Sequence, residues 1–437
     1  MSRHGHLVFR FLMVAAAIFG AIAVLSPALA QTGREGPPRN VILIGWDGAQ
    51  RAHLQECLAR GELPTIKALA EEGALVDIDI VTGATDTKAG WTQILTGYHP
   101  EVTGVYSNRE YRDVPAGLSI FERLKKHFGP DFVCVAVIGK RGNVGEILPP
   151  VKRQISDEEA AQILERQKQA AERDKARRAA KQQLSPAEAK PRKEAKPAEK
   201  PRADRKAERA QKQEERQMAA RQAVRGQIVE EGGVKYLMFG GSPYYTMHKA
   251  CDVWEYGLIE DEKVGSRTLE LLEKYKDRPF FFFVHFASVD AAGHRFGENS
   301  KEYNDALISN DLWTGRIIAK LKELGIYDKT LIYVTSDHGF DEGKTGHSYA
   351  PYIFLATNDP LVKRAGMRQD IAPTILDRFG VDLSKLEPPL DGEPLTKPAT
   401  KPVLKAPESP PAPKKPAKGE VQPTRKAAKK LLPAGAF

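Results

Sequence analysis

Three runs of nearly continuous apolar and β-branched residues constrain the fold more than any other feature of this sequence. They read NVILIGW from Asn40, FFFFVHFASV from Phe280 and TLIYVTS from Thr330. Such runs are typical of parallel strands covered by helices, because neither face of the strand meets water. Helical patterns lie in the intervening sequence, at residues 63–72, 263–275 and 303–324. This alternation predicts an α/β fold with a doubly wound, mostly parallel sheet between helices.

The formal net charge of +9 on this 437-residue chain comes from its appendages. Lys and Arg exceed Asp and Glu by 9 in residues 152–225 and by 8 in residues 397–437, and residues 1–30 add 2 more. The remaining residues, which form the part able to fold, therefore carry a net charge of −10. This balance excludes a basic nucleic-acid-binding domain, and we expect no specific binding of nucleic acid.

The first thirty residues have the pattern of a signal peptide. A basic start precedes an apolar run over residues 11–25, and Ala28-Leu29-Ala30 has the form of a signal-peptidase site. Cleavage there predicts a periplasmic or secreted protein, with residues 31–39 as a linker. An uncleaved membrane anchor is the alternative, because residues 11–30 are nearly long enough to span a bilayer.

Two charged segments accompany the predicted catalytic domain, which consists of residues 40–151 and 226–396. Residues 152–225 form a low-complexity insertion whose flanks, 157–183 and 203–225, favour helix, so we expect it to be helical or disordered. Residues 397–437 form a basic tail rich in Lys, Pro and Ala that is predicted to be extended and disordered. Both segments are interpreted as solvated spacers or as electrostatic contacts with anionic polymers of the cell envelope.

An acid follows each of the three apolar runs: Asp47, Asp290 and Asp337. The carboxyl ends of strands in open α/β sheets line the crevice in which ligands bind, and three carboxylates there repel one another unless a cation is present. Histidines accompany these acids at His294, His338 and His347. Three Asp and three His are too many ligands for one tetrahedral zinc. They predict a site for two metal ions that share a substrate oxygen.

A hydroxyl-rich segment with Thr82, Thr85 and Thr87 precedes a predicted helix over residues 88–95. A hydroxyl at a helix N-terminus faces backbone N–H groups and the positive end of the helix dipole, which suits a phosphate or a sulfate. The alternative is that Thr85, Asp86 or Thr87 only caps the helix.

Taken in order along the chain, five motifs resemble the alkaline phosphatase superfamily, most closely its nucleotide pyrophosphatase/phosphodiesterase branch. They are GWDG with Asp47, TG-x-x-P-x-x-x-G from Thr96 to Gly104, D-x-x-G-H from Asp290 to His294, SDHG from Ser336 to Gly339, and DIAPT from Asp370 to Thr374. The resemblance covers most of residues 40–151 and 226–396. It implies an alkaline-phosphatase-like fold and a metal-dependent hydrolase of small phosphoesters.

The resemblance also implies a role for each site residue. Thr87, nine residues before the Thr-Gly pair, would be a nucleophile that forms a phosphoryl-threonine, and Asn108 with the amide after Thr87 would stabilise charge on the transferred group. Two divalent ions, with zinc the best fit, would be bound, one by Asp47, Thr87, Asp337 and His338 and the other by Asp290, His294 and His347. Lys140 is either a phosphate contact or part of an exposed basic turn.

The sequence is compatible with several functions. Sulfatase activity is disfavoured, because Thr87 replaces the Cys or Ser that sulfatases convert to formylglycine, and Ala89 and Trp91 replace their Pro and Arg. The nearby third histidine, His347, is placed as in the mutase and sulfatase-like relatives. The alternatives to a phosphodiesterase are a phosphomonoesterase, a phosphotransferase, a sulfatase-like hydrolase, or a non-enzymatic metal-bearing protein that binds anionic envelope polymers.

Overall fold

The computed structural model describes residues 34–183, 226–402 and 404–406, which belong to one unit of the chain. The predicted signal peptide, residues 184–225 of the predicted insertion and residues 407–437 of the predicted tail lie outside the described residues. Among the helices that the structure describes, none combines the length and the apolar character needed to cross a membrane.

A central sheet of eight strands has the order β11-β2-β10-β9-β1-β8-β3-β7. The strands of the described residues are β1 (Asn40–Trp46), β2 (Ala74–Asp79), β3 (Val133–Ile138), β4 (Val151–Ile155), β5 (Gln227–Glu231), β6 (Val234–Phe239), β7 (Val253–Tyr256), β8 (Phe280–Phe286), β9 (Thr330–Thr335), β10 (Tyr352–Thr357) and β11 (Gly366–Met367). In the central sheet, β10 is antiparallel to β9 and to β2, and the other pairings are parallel. The prediction of a doubly wound, mostly parallel sheet is confirmed.

Helices connect these strands and cover both faces of the sheet. They are α1 (Arg51–Ala59), α2 (Pro64–Glu72), α3 (Thr87–Thr96), α4 (Pro100–Thr103), α5 (Ile120–Phe128), α6 (Asp157–Gln183), α7 (Tyr245–His248), α8 (Asp261–Tyr275), α9 (Ser288–Phe296), α10 (Lys301–Glu323) and α11 (Ile371–Arg378). The side chains of β1 alternate between two core clusters, with Ile42 and Ile44 on one face and Val41 and Leu43 on the other. Because both faces are buried, β1 has the continuous apolar sequence expected of a central parallel strand.

The parallel register brings the carboxyl ends of β1, β8 and β9 to one edge of the sheet, since Trp46 pairs with Phe286 and Gly45 with Thr335. Asp47 directly follows β1, as predicted. The prediction that Asp290 also ends a strand is wrong. The backbone of Ala287 takes a right-handed helical conformation and turns the chain after Phe286, so Asp290 lies in the first turn of α9.

A second, antiparallel sheet of three strands, in the order β4-β6-β5, was not predicted. Strand β4 includes the first residues of the predicted insertion, whereas β5 and β6 follow its end. Helix α6 packs on one face of this sheet through Ala160 and Ile163 against Ile155 and Leu237. The predicted helix over 157–183 is confirmed, but the expectation that it is fully solvated is wrong at its first turns. Two buried apolar residues suffice to anchor them to the sheet.

Candidate active site

Five structural elements bring the candidate catalytic residues to the edge of the sheet at which β1, β8 and β9 end. Asp47 follows β1, Lys140 follows β3, and Asp337 with His338 follows β9. Asp290 and His294 lie one turn apart on α9, so their side chains share one face of that helix. Thr87 is the first residue of α3 and is almost fully buried.

The ammonium group of Lys140 lies at the centre of this cluster. Its Nζ is 2.7 Å from Asp47 Oδ1, 2.8 Å from Asp290 Oδ2 and 3.0 Å from Thr87 Oγ1. The three N–H bonds of the ammonium group match these three acceptors. Lys140 therefore points into the cluster, and the alternative of an exposed basic turn does not describe it.

The second oxygen of Asp47 is held by two residues that the sequence did not identify as contacts of this acid. His285 Nε2 lies 2.8 Å from Asp47 Oδ2, and Trp91 Nε1 donates to the same oxygen at 3.3 Å. His285 is fully buried in the otherwise apolar strand β8. A polar side chain in such a strand needs a hydrogen-bond partner. The single histidine in this apolar run was therefore the sequence feature that could have identified the residue.

Asp47, Asp290 and His338 form one group that is able to hold a metal ion, with ligand atoms within 4.8 Å of one another. The Nε2 atom of His338 is 3.7 Å from Asp47 Oδ1, 3.8 Å from Asp290 Oδ1 and 3.5 Å from Asp337 Oδ2. Asp337 also fixes the turn after β1, because its Oδ1 accepts the N–H of Gly48 at 3.1 Å.

Asp290, His294 and His347 form the second group of this kind. His294 Nε2 is 3.4 Å from Asp290 Oδ1 and 3.2 Å from His347 Nε2. The Nδ1 atoms of both rings are engaged by backbone carbonyls, that of His294 by Thr345 at 2.9 Å and that of His347 by Thr85 at 2.5 Å. Both rings therefore carry the proton on Nδ1 and leave Nε2 as the metal-binding atom.

The unsatisfied polar atoms of the site fit divalent cations. Asp290 Oδ1, Asp337 Oδ2 and His338 Nε2 are buried and have no hydrogen-bond partner among the described residues. Buried polar atoms are rarely left in this state unless an ion or water binds them. Asp290 belongs to both groups, whereas the family resemblance implied it for one of them only.

The charges at this edge drive the pKa values of the acids apart. Burial would raise the pKa of Asp47, but the charge of Lys140 and contact with His285 hold that pKa well below its usual range. Burial and repulsion from Asp47 raise the pKa of Asp337 well above its usual range. A bound cation would remove this repulsion and favour the carboxylate form of Asp337.

Two histidines of the ligand groups, His338 and His347, are neutral near pH 7. Burial lowers the pKa of His338, and burial with the neighbouring His338 lowers the pKa of His347 to about 4. Neutral imidazole is the form that coordinates a metal, so no proton has to be displaced from these residues when an ion binds.

The start of α3 is capped by Asp86 rather than by Thr87. The carboxylate of Asp86 accepts the N–H of Ala89 at 3.4 Å and the N–H of Asn108 at 2.8 Å. The N–H of Lys88 donates to Asn108 Oδ1 at 2.8 Å. This amide, which follows Thr87, orients Asn108, whose Nδ2–H₂ group is the end still able to donate. The expectation that the amide is also a donor for the transferred group stays a prediction.

Arg368 and Gly90 fix α3 against the segment that carries Asp337. Arg368 is fully buried and donates to the carbonyl of Asp337 at 2.9 Å and to that of Ala84 at 3.3 Å. Burial lowers the pKa of Arg368 to about 10, so the side chain is charged at neutral pH. A Cβ atom on Gly90 would lie 2.5 Å from the Cβ of Asp337, so this close approach requires glycine.

The profile of the type I phosphodiesterase / nucleotide pyrophosphatase family matches residues 41–374, which is most of the chain and includes every residue of the cluster. The chain belongs to this family. The resemblance to the alkaline phosphatase superfamily that the motifs indicated is confirmed. The region that the family profile matches includes both ligand groups, each of which could hold a metal ion.

Curated relatives match shorter stretches. Rat (Rattus norvegicus) steryl-sulfatase is 33% identical over 86 residues, 18% of this chain and 14% of the relative. The 2,3-bisphosphoglycerate-independent phosphoglycerate mutase of Wolbachia pipientis wMel is 30% identical over 139 residues, 30% and 26% of the two chains. Human (Homo sapiens) ectonucleotide pyrophosphatase/phosphodiesterase family member 1 is 34% identical over 100 residues, which are 23% of this chain and 10% of the relative. The match spans about a quarter of these relatives or less, and they catalyse different reactions, so they do not define the substrate.

Similar solved structures include the lipoteichoic acid synthase LtaP of Listeria monocytogenes, with a TM-score of 0.46 and 13% identity over 88% of this chain and 81% of that one. Another is a protein in complex with its substrate D-glucosamine-2-N,6-O-disulfate, with a TM-score of 0.44 and 13% identity over 82% and 79% of the chains.

Proposed function

We propose that this protein is an exported phosphodiesterase of the nucleotide pyrophosphatase type, with Thr87 as nucleophile and two divalent cations as cofactors. The observation that carries the proposal is the convergence of Thr87 and Lys140 with two ligand groups at one sheet edge. The family match supports hydrolysis of phosphoesters.

The environment of Thr87 favours its alkoxide. Lys140 is cationic, because the attraction of Asp47 and Asp290 outweighs its desolvation and raises its pKa. Its N–H donates to Thr87 Oγ1, so it stabilises negative charge on that oxygen and cannot act as a base. The proton of the Thr87 hydroxyl leaves to solvent as Oγ1 attacks phosphorus in line.

The reaction proceeds through a covalent intermediate. A bond forms between Thr87 Oγ1 and phosphorus, the bond to the leaving alcohol breaks, and the alcohol oxygen takes up a proton. Water then attacks phosphorus, the bond to Thr87 breaks, and the threonine oxygen is reprotonated. The Nδ2–H₂ group of Asn108 donates to an equatorial oxygen in both steps, and Asn108 is held in place by the backbone N–H of Lys88 and the carboxylate of Asp86.

The residues that would hold the cations are Asp47, Asp290, Asp337 and His338 on one side and Asp290, His294 and His347 on the other. Zinc fits this mixed set of imidazole and carboxylate ligands. When bound, the two cations supply Lewis-acid stabilisation of the attacking and leaving oxygens. Asp290 would couple the two groups, because its Oδ1 lies near both His338 and His294.

Phosphomonoester hydrolysis is the second candidate function, and the position of Lys140 favours it. A monoester carries one more negative charge than a diester, and an ammonium group 3.0 Å from the nucleophile would stabilise that charge. A sulfatase-like reaction has less support, because Thr87 lacks the chemistry for conversion to formylglycine. A metal-bearing binding protein would not need Thr87 and Lys140 aligned beside the ligand groups.

Export and envelope contact are parts of the proposal that rest on sequence alone. Residues 1–30 support export by their signal-peptide pattern, and residues 152–225 and 397–437 supply the positive charge that would bind anionic envelope polymers. The substrate that we propose is a small phosphoester.

A comparison of rates tests the reaction class. The full chain with zinc is assayed on bis(4-nitrophenyl) phosphate, 4-nitrophenyl phosphate and 4-nitrophenyl sulfate. We expect the highest kcat/KM on the diester. A higher value on the monoester would favour the second candidate, a higher value on the sulfate would favour a sulfatase, and no hydrolysis of any ester would overturn enzymatic function.

A further inference from the structure

The segment that carries His347 is exposed along most of its length. We call residues 341–347, which follow Phe340 and end with this ligand, the His347 loop. Residues 342–345 are exposed, and a hydrogen bond from Asp341 N–H to the carbonyl of Gly346 (2.9 Å) closes the loop on itself. Exposed loops of this kind are mobile unless they are tied to the core. The geometry of the second ligand group therefore depends on what anchors this loop.

Glu298 provides a buried anchor for the loop. Its side chain is 2% exposed, and its Oε2 accepts the N–H of Gly343 at 3.1 Å. Its own N–H donates to the carbonyl of Lys344 at 3.0 Å. These two bonds fix the middle of the His347 loop, while Thr345 beside them accepts from His294. Glu298 thus anchors the segment next to both histidines of the group, without a hydrogen bond to either of them among the described residues.

The other oxygen of Glu298 connects the loop to the helix that follows Asp47. Glu298 Oε1 lies 3.0 Å from Nδ1 of His53, a residue of α1 that is 7% exposed. The ring of His53 packs edge-on against Tyr303, and the hydroxyl of Tyr303 donates to the carbonyl of Gly48 at 2.7 Å. A continuous chain of contacts therefore runs from the residue after Asp47 to the His347 loop.

We propose that Glu298, held by His53, is a positioning residue that sets the affinity of the Asp290–His294–His347 group for its cation. This inference rests on the proposed function, because it assumes that this group binds one of two ions. Residues that orient metal ligands typically change metal affinity by about 10- to 100-fold when they are removed. Loss of a merely structural acid would affect both ions alike, whereas loss of Glu298 should weaken the binding of one ion and leave the binding of the other unchanged.

Isothermal titration calorimetry tests the inference. Zinc is titrated into the metal-free full chain of the wild type, of E298A and of E298D. E298A removes the side-chain contacts with His53 and with the N–H of Gly343, and it keeps the backbone hydrogen bond to Lys344. E298D keeps a carboxylate beside His53 but is one CH₂ shorter, so it cannot also reach the N–H of Gly343. The matched control is D359A. Asp359 is fully buried, pairs with Arg378 Nε at 2.9 Å and accepts the N–H of Leu361 at 3.0 Å, but it follows β10 at the opposite edge of the sheet.

We expect D359A to bind each of two zinc ions with the same affinity as the wild type, even though D359A unfolds at a lower temperature. E298A and E298D should bind the first ion, at the Asp47–Asp290–His338 group, with wild-type affinity. They should bind the second ion, at the Asp290–His294–His347 group, at least about 10-fold more weakly. The inference is overturned if E298A binds the second ion with an affinity within twofold of the wild type. If E298A does not fold, the same result in E298D overturns it. Either result leaves the two-ion proposal standing. A wild-type chain that binds only one ion overturns both.

Discussion

Lys140 donates a hydrogen bond to the hydroxyl oxygen of Thr87 over 3.0 Å, which places a permanent positive charge against the candidate nucleophile. The same ammonium group contacts Asp47 and Asp290, so it neutralises part of the charge of the three acids. The nucleophile and the metal ligands thus share one cation from the chain itself.

Thr87→Ala should abolish turnover while leaving the fold and zinc binding nearly intact, because the side chain that is lost supplies the attacking oxygen. We expect a loss of at least about 1,000-fold in kcat. Thr87→Ser is the control, since it keeps the hydroxyl and should retain measurable turnover. Near-normal activity of T87A in steady-state assays on the preferred ester would remove Thr87 from its proposed role.

Lys140→Met should lower kcat by about 100-fold, because it removes the charge that stabilises the Thr87 alkoxide. It should also lower the unfolding temperature of the metal-free protein, since Asp47 and Asp290 lose their counter-ion, and zinc should restore most of that loss. Thermal unfolding with and without zinc measures this effect. Arg141→Ala, at the exposed neighbouring position, should change neither quantity. Equal behaviour of K140M and R141A would contradict the assignment.

His285→Gln should weaken binding of the first zinc ion by about 10-fold, because Asp47 loses the partner that orients its carboxylate. Trp91 still donates to the same oxygen, so some orientation remains. Competition with a chromophoric zinc chelator measures the affinity. An unchanged first-ion affinity, together with a changed second-ion affinity, would show that His285 acts elsewhere.

Removal of metal should inactivate the enzyme reversibly. Treatment of the full chain with a chelator should abolish ester hydrolysis, and added zinc should restore it, because the buried ligand atoms of Asp290, Asp337 and His338 are then satisfied again. Activity and zinc content are measured on the same samples. Full activity in protein shown to be free of metal would exclude a metal-dependent reaction.

The pair of His53 and Glu298 should make stability depend on pH. Burial would lower the pKa of His53, but contacts with Cys57 and Glu298 raise it from 6.5 to about 10. Because the pKa is higher in the folded state, the stabilisation is complete below pH 6.5 and is lost as pH rises through about 10. Urea unfolding of wild type and His53→Gln should therefore show a difference in unfolding free energy that shrinks between pH 6.5 and 10. A difference independent of pH would contradict this account.

The sequence predicted the parts of the fold that local patterns determine. The strands β1, β8 and β9 were recognisable because burial on both faces requires an unbroken apolar run, and Asp47, Asp337 and His338 follow directly from the strand ends. The turn at Ala287 was missed, because no glycine or proline marks it, and Asp290 was therefore assigned to a strand. The three-stranded sheet was missed because its short strands lie on both sides of a long charged segment.

Residues that act through tertiary contacts could not be identified in the same way. His285 lies in an apolar run, and its role depends on Asp47, which is more than two hundred residues away in sequence. Glu298 and Arg368 bind mainly to backbone groups of other segments, which leave no trace in the local sequence. The engaged amide of Lys88 likewise became visible only when the loop with Asn108 was placed beside α3.

Acid quenching of the reaction with bis(4-nitrophenyl) phosphate, followed by mass spectrometry of the peptide that contains Thr87, tests the central claim most directly. The account predicts a burst of nitrophenol and a (4-nitrophenyl)phosphoryl adduct on Thr87, with both absent in T87A. Turnover with no adduct on Thr87, or an adduct on another side chain, would contradict it.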